Sequence, residues 1–341
     1  MKIIVDAFGG DNAPLAVLEG CQMAVREYGV EILLTGDEAV IRKAAGENGI
    51  SLDHMEIVHA PTVIPVEEDP TEIMKSYQDC SMAEGFRQLA QGAGDAFVSA
   101  GSTGALVVGA SLIVKRIRGV KRAAIGTVVP NAKGAYLLID GGANHECRPE
   151  MLLQFALMGS AYMEKIGGIP KPRVGLVNIG AEETKGTQLQ IDAFGLLREA
   201  PVNFIGNVEA RGLPLGECDV AVCDGFTGNV VLKTTEGMAK FFSNTLKEMF
   251  TGFPGVLGAP FLLGSVKALK KKMDYSETGG APLLGLQKPV IKAHGSSGGL
   301  AFKNAIRQAK KCCDEDVIGE IERGLSEIKA RAAAEPVQTE S

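Results

Sequence analysis

Residues 96–110 read Ala96-Phe97-Val98-Ser99-Ala100-Gly101-Ser102-Thr103-Gly104-Ala105-Leu106-Val107-Val108-Gly109-Ala110. Ala96 to Ser99 is a short buried strand by its apolar, β-prone composition, and 102–117 carries an amphipathic helical pattern. Between them stand small residues, two hydroxyls (Ser102, Thr103) and two glycines (Gly101, Gly104), so a helix opens immediately after a strand. That is the composition of an anion nest at a helix N-terminus. Ser102 or Thr103 suits an ordinary N-cap equally well, and the residues alone leave both readings open.

The same strand, glycine-rich turn and helix recur at 6–14, 140–149 and 224–229. Further buried strands are expected at Ile3 to Asp6, Ile32 to Thr35, Ile57 to His59, Leu137 to Asp140, Val174 to Asn178, Asn203 to Ile205 and Val220 to Cys223. Amphipathic segments at 14–28, 79–91, 149–166 and 227–250 alternate with them. This order implies an α/β fold with a mainly parallel sheet sandwiched by helices. Ligands of such sheets sit beyond the carboxyl ends of the strands, so the site should be assembled from turns far apart in sequence.

Bulk properties agree. A chain of 341 residues can form one large domain or two packed ones. We expect one unit over 1–331, with a hinge near 126–134 between two subdomains around a central cleft, and a frayed tail at 332–341. The 43 glycines cluster at the ends of apolar runs, as tight loops require. A net charge of −6 argues against a general nucleic-acid binder. Seven scattered cysteines (21, 80, 147, 218, 223, 312, 313) form no CxxC pair, so reduced thiols and no metal site are expected. Lys2 to Asp6 opens a strand and is too short for a signal-peptide core, and no apolar run approaches a membrane span.

Several loops carry candidate chemistry. Asp6 to Pro14 offers Gly9, Gly10 and Asp11 to an anion, though it lacks the dinucleotide fingerprint. Ser99, Gly101, Ser102, Thr103 and Gly104 form the second loop, and Asp140 to Asn144 a third, in which Asn144 suits a substrate contact or its own turn. Asn178 to Gly186 places Lys185 beside a glycine, as a compact cation for phosphate or as a solvated loop lysine. Asp224 to Asn229 repeats the theme with Gly228. Lys292 to Ser297 sets His294 between a strand and a helix, while His54, His59 and His145 read as structural. With no GxSxG elbow, HExxH or paired-carboxylate spacing, direct attack by a bound substrate is the simplest chemistry.

In this order the loops resemble the phosphate acyltransferases of bacterial phospholipid synthesis (acyl-acyl-carrier-protein:phosphate acyltransferases). The matching segments are DAFGGDNAP (6–14), SAGSTGALVVGA (99–110), DGGAN (140–144), RVGLVNIGAEETKG (173–186), NFIGNVEAR (203–211), DVAVCDGFTGNVVLKTTEG (219–237), GGAPLLGL (279–286) and VIKAHGSS (290–297). Ser102 departs from the asparagine usual there, Phe8 from methionine, and 69–82 carries only Lys75 as a base. The resemblance implies a fold like phosphate acetyltransferases and isocitrate or isopropylmalate dehydrogenases, used as a homodimer without a cofactor. It implies transfer of a fatty acyl chain from acyl carrier protein to inorganic phosphate. Lys185, His294, Asn229 and Asp224 are then expected at the reacting centre, with Gly9, Gly10, Asp11, Ser99, Gly101, Ser102, Thr103, Gly104, Asn144, Asn178 and Gly228 binding substrate.

At 248–273, phenylalanines and leucines crowd two prolines beside Lys267, Lys270, Lys271 and Lys272. This reads as a protruding amphipathic helical hairpin, with Phe253, Leu257, Phe261 and Leu262 contacting an anionic membrane, or as dimer core. A peripheral cytoplasmic enzyme is expected, passing acyl phosphate to a membrane-bound glycerol-3-phosphate acyltransferase. The rival readings are a short-chain transferase using coenzyme A thioesters, a dehydrogenase of similar fold and a non-catalytic membrane scaffold.

Overall fold

The computed structural model describes residues 1–251 and 279–334. Most of the expected hairpin, with Phe253, Leu257, Phe261 and Leu262, lies outside the described residues.

Eleven described strands form one sheet: β1 (Lys2–Asp6), β2 (Glu31–Gly36), β3 (Met55–His59), β4 (Ala96–Ser99), β5 (Ala124–Asn131), β6 (Gly134–Ile139), β7 (Arg173–Asn178), β8 (Asn203–Glu209), β9 (Val220–Val222), β10 (Ala281–Leu284) and β11 (Val290–Lys292). Their order is β3-β2-β1-β4-β11-β10-β5-β6-β9-β7-β8. The outer groups are parallel, as expected. In the middle, β10 pairs antiparallel with both β11 and β5, and β5 pairs antiparallel with β6. Three reversals leave β6, β9, β7 and β8 running opposite to β3, β2, β1, β4 and β11. The carboxyl ends of the two parallel groups therefore lie on opposite edges. Residues 126–134, where a hinge was expected, are the β5–β6 hairpin at this junction.

The α-helices among the described residues are α1 (Leu15–Tyr28), α2 (Glu38–Glu47), α3 (Ser81–Ala90), α4 (Thr103–Gly109), α5 (Pro149–Lys165), α6 (Gln188–Arg198), α7 (Gly225–Thr251), α8 (Gly299–Asp314) and α9 (Val317–Ala334). Instead of a regular helix over 102–117, α4 widens into a π-helical stretch at Ala110–Lys115. Alternation along β1 explains the layers. Ile3 and Val5 join the core cluster containing residues of α1, α5 and α8, and Ile4 joins the opposite cluster with residues of α3 and α4. Helix α7 exposes Phe226, Val230, Met238, Phe241, Phe242 and Met249 along its length.

Phe97 of β4 is fully buried and stacks on Phe86 of α3 at 4.6 Å between ring centroids. Phe97→Ala is expected to cost about 3–5 kcal/mol, read as a lower urea midpoint at unchanged slope. A loss below about 1 kcal/mol would mean that the neighbouring helices collapse into the space.

Candidate active site

On the first edge, Asp6 pairs with Thr35 of β2, and Lys292 of β11 pairs with Ser99 of β4. Val5 pairs with Val98, so Asp6 and Ser99 stand at one level on neighbouring strands. A polar row thus crosses four parallel strands at their carboxyl ends. The buried Asp6 carboxylate accepts 2.7 Å hydrogen bonds from the hydroxyls of Ser81 and Ser99, and a 3.2 Å bond from the Phe8 N–H. Burial pushes its pKa upward against these bonds and against Lys292. The Lys292 ammonium donates to the carbonyls of Ala100 and Ala293. Desolvation brings its pKa down to about 8, with Asp11 and Asp6 opposing.

Two loops close over this row. A Cβ on Gly9 would lie 2.7 Å from both the Gly101 nitrogen and the Ser99 hydroxyl oxygen, so only glycine allows the loops to approach so closely. The Asp11 N–H donates to Gly295 O at 2.8 Å, tying the first loop to the one carrying His294. A cavity of about 370 Å³ remains, with Asp6, Lys292, Ser102 and Thr103 at its polar side and Val63 and Val66 at its apolar side. A half-buried, desolvated ammonium facing such a cavity suits a small anion.

The second edge holds the ends of β6, β9 and β7, where Val222 pairs with Ile139 and with Leu176. Asp140 accepts from the N–H groups of Ile125, Ala143 and Asn144 and from the Asn144 side chain, and burial raises its pKa. The Asn144 amide also donates to Ala123 O. Asp224 accepts from the Thr227 N–H and hydroxyl, both at 2.8 Å, which makes it the cap of α7. A Cβ on Gly228 would stand 1.9 Å from Asp140 O, so glycine is obligatory where α7 enters the sheet. Asn178 donates to Lys185 O at 3.0 Å and accepts from the Ile179 N–H, and the Lys185 side chain is exposed. A second cavity, also about 370 Å³, lies between α4 and the 143–146 loop, with Asn144 and His145 in its wall.

The expected residues therefore fall into two groups. Gly9, Gly10, Asp11, Ser99, Gly101, Ser102, Thr103, Gly104 and His294 belong to the first edge, and Asn144, Asn178, Lys185, Asp224, Gly228 and Asn229 to the second. The structure does not bring His294 beside Asn229: β11 and β9 are four places apart in the sheet, about 19 Å at the usual strand spacing. Asp224 and Ser102 act as helix caps, and Asn144 and Asn178 hold their own turns. Asp6 and Lys292 went unselected as site residues. Their signal was present in the two quoted loops, but the row forms only through pairing between distant strands. Thr103 lines the first cavity and Val107 the second, so one turn of α4, about 6 Å of rise, separates them.

A family model described as "Fatty acid synthesis protein" matches residues 1–320. A protein named phosphate acyltransferase from Clostridium botulinum strain Loch Maree is 46% identical over 330 residues, covering 96% of this chain and 98% of that protein. Namesakes from Alkaliphilus oremlandii and Desulforamulus reducens are 46% and 44% identical over similar spans. Among solved structures, a Streptococcus pyogenes phosphotransacetylase aligns with a TM-score of 0.62 at 18% identity, covering 94% of both chains. The EutD phosphotransacetylase of Staphylococcus aureus gives 0.59 at 17%, covering 91% and 94%. These likenesses show the fold anticipated from the loop order.

An anion held by Lys292 should stabilise the protein while that lysine keeps its proton. At a hundredfold its Kd, inorganic phosphate would add about 2.7 kcal/mol, seen as a rise in Tm. The gain should fade above pH 8, where folded Lys292 deprotonates. It should persist to higher pH in Lys292→Arg and vanish in Lys292→Met. An equal rise in Lys292→Met would place the anion elsewhere.

Proposed function

From the premise that the chain belongs to the fatty acid synthesis protein family and is an acyltransferase, like its phosphate acyltransferase relatives, we propose its reaction: transfer of a long-chain fatty acyl group from acyl carrier protein to inorganic phosphate. The observation that carries this reading is the half-buried, desolvated Lys292 ammonium facing a cavity at the carboxyl ends of β1, β4 and β11. Ser81 and Ser99 direct their hydroxyls to Asp6, and Ser102 accepts from the Ala105 N–H as a cap. Phosphate itself is therefore the simplest nucleophile.

In this reading, phosphate rests against Lys292 in the first cavity and the thioester arrives at the second edge. A phosphate oxygen attacks the carbonyl carbon, and the carbonyl electron pair moves to oxygen. Collapse of the tetrahedral intermediate expels the carrier thiolate, which takes a proton from solvent, and leaves acyl phosphate. Positioning two anion-bearing reactants and steadying the oxyanion supply the acceleration. We assign phosphate contact to Lys292 and His294 on the first edge and the thioester arm to Lys185 and Asn229 on the second, with the acyl carbonyl reaching past the one turn of α4 between the two cavities.

The exposed apolar side chains of α7 support pairing with a second copy of the chain. Association with an anionic membrane, and delivery of acyl phosphate to a membrane-bound glycerol-3-phosphate acyltransferase, rest on the sequence of 248–273. No helix among the described residues is long and apolar enough to cross a membrane.

The deciding assay is thiol release from acyl carrier protein with and without phosphate. Strict phosphate dependence is expected, and equal release without phosphate would make the enzyme a thioesterase. Lys185→Ala should raise the KM for the thioester donor about tenfold, as loss of about 1.4 kcal/mol of contact does. An unchanged KM in that variant would confine Lys185 to its loop.

A further inference from the structure

Between Asp95 and Asp140 there is no acidic residue, although the whole chain holds 41 among 341. The same stretch concentrates Lys115, Arg116, Arg118, Lys121 and Arg122 within eight positions. Lys115, Arg118, Lys121 and Arg122 are exposed and Arg116 is half-buried. Among the described residues, none of the five has a carboxylate oxygen within 4.0 Å, while sixteen ion pairs of that length occur elsewhere. An acidic protein thus gathers a block of cations that its own carboxylates do not neutralise.

The backbone beneath these cations is fixed. Ile117 and Val120 are buried, at 2% and 6% exposure, and point the loop's apolar residues inward. The Ile117 N–H donates to Gly285 O at 3.0 Å and the Gln287 N–H to Lys115 O at 3.0 Å, binding the loop to the end of β10. Gln154 of α5 accepts from the Lys121 N–H at 2.8 Å and donates to Gly119 O at 2.9 Å. The charged side chains stand on a ledge that needs no ordering before a partner arrives, which lowers the cost of association.

The ledge borders the second cavity. Arg116 and Arg122 form part of its wall with Val107, Val108 and Leu112, and Glu146 is the one carboxylate residue in that wall. Leu112 is 55% exposed beside the ledge. Broad positive charge outside and an apolar recess inside match a partner with an acidic surface and a thioester arm joined through a phosphodiester. We propose that the ledge from Lys115 to Arg122 docks the acidic acyl carrier protein, with Arg116 and Arg122 meeting the phosphodiester as the arm enters the second cavity. The proposal rests on the acyl-transfer reading above and adds the surface that selects a protein-bound donor. Docking by exposed complementary charge acts mainly on encounter and is screened by salt.

The test uses the whole enzyme, Arg118→Glu/Lys121→Glu, and two donors: acyl carrier protein thioester and the neutral N-acetylcysteamine thioester of the same acyl chain. Neither substituted residue lines the cavity. The KM for the carrier donor should rise at least tenfold and its salt dependence should flatten. Values for the small thioester should stay within twofold, and Arg118→Lys should keep wild-type behaviour. An unchanged carrier KM overturns the proposal, as does equal loss with both donors, which would make the ledge structural. Direct binding of unacylated carrier is measured in parallel. If wild type releases no thiol from either donor, the acyl-transfer reading fails, while tenfold weaker carrier binding by the variant still supports docking. Loss of oligonucleotide binding with unchanged carrier binding would overturn it in favour of a nucleic-acid surface.

Discussion

Everything at the first edge depends on one buried carboxylate. Removing Asp6 and Lys292 from water costs several kcal/mol per ion unless their lone pairs and protons find partners. Asp6 finds them in Ser81 at the start of α3, in Ser99 at the end of β4 and in the Phe8 N–H of its own loop. Lys292 finds them in two carbonyls, one of which belongs to the loop after β4. The partners lie on segments that meet nowhere else in sequence. Satisfying these two charges therefore fixes the ends of β1, β4 and β11 in one geometry, and that geometry is the floor of the cavity. Stability and site preparation are the same set of hydrogen bonds.

The second constraint is the reversal in the middle of the sheet. A purely parallel sheet would gather all its glycine turns on one edge. Here β10, β5 and β6 turn the direction over, and the turns divide between two edges. Helix α4 partly reunites them. It starts at the first edge beside Ser102 and runs back toward the second, where Val107, Val108 and Leu112 wall the other cavity. One short helix is thus shared by a pocket shaped for a small anion and a pocket that is apolar with a basic rim.

Much of this was legible in the sequence. Eight of the strands announce themselves as short apolar runs, and glycine marks where most of them end. The strand β5 was hidden because Pro130 and the Asn131–Gly134 turn look like an interruption. It tolerates proline because β10 pairs only with Ala124 and Ile125, leaving the rest of that side of β5 without a strand partner to miss an N–H. The candidate residues were legible by position but not by role. A polar side chain at a strand end followed by glycine serves equally as ligand or as cap, and Ser102, Asn144, Asn178 and Asp224 are engaged in holding their turns. Asp6 and Lys292 carried the opposite ambiguity. Nothing local says that a lysine after Val290-Ile291 will be desolvated; that follows only once β11 lies beside β4.

The distribution of cations makes a coherent physical argument. A protein of net charge −6 carries more carboxylates than cations, yet the proposed reaction brings together phosphate and an acidic protein. A small anion can be held by a single desolvated ammonium, because low dielectric strengthens the attraction. A macromolecular anion cannot enter such a place. It responds to the field over an area comparable to the Debye length, about 8–10 Å at ordinary salt, so it requires several exposed charges of one sign close together. Lys292 meets the first requirement and the run from Lys115 to Arg122 the second. The 44 residues from Ala96 to Ile139 contain no acid, and Glu146 is the one carboxylate residue that shares a cavity wall with Arg116 and Arg122.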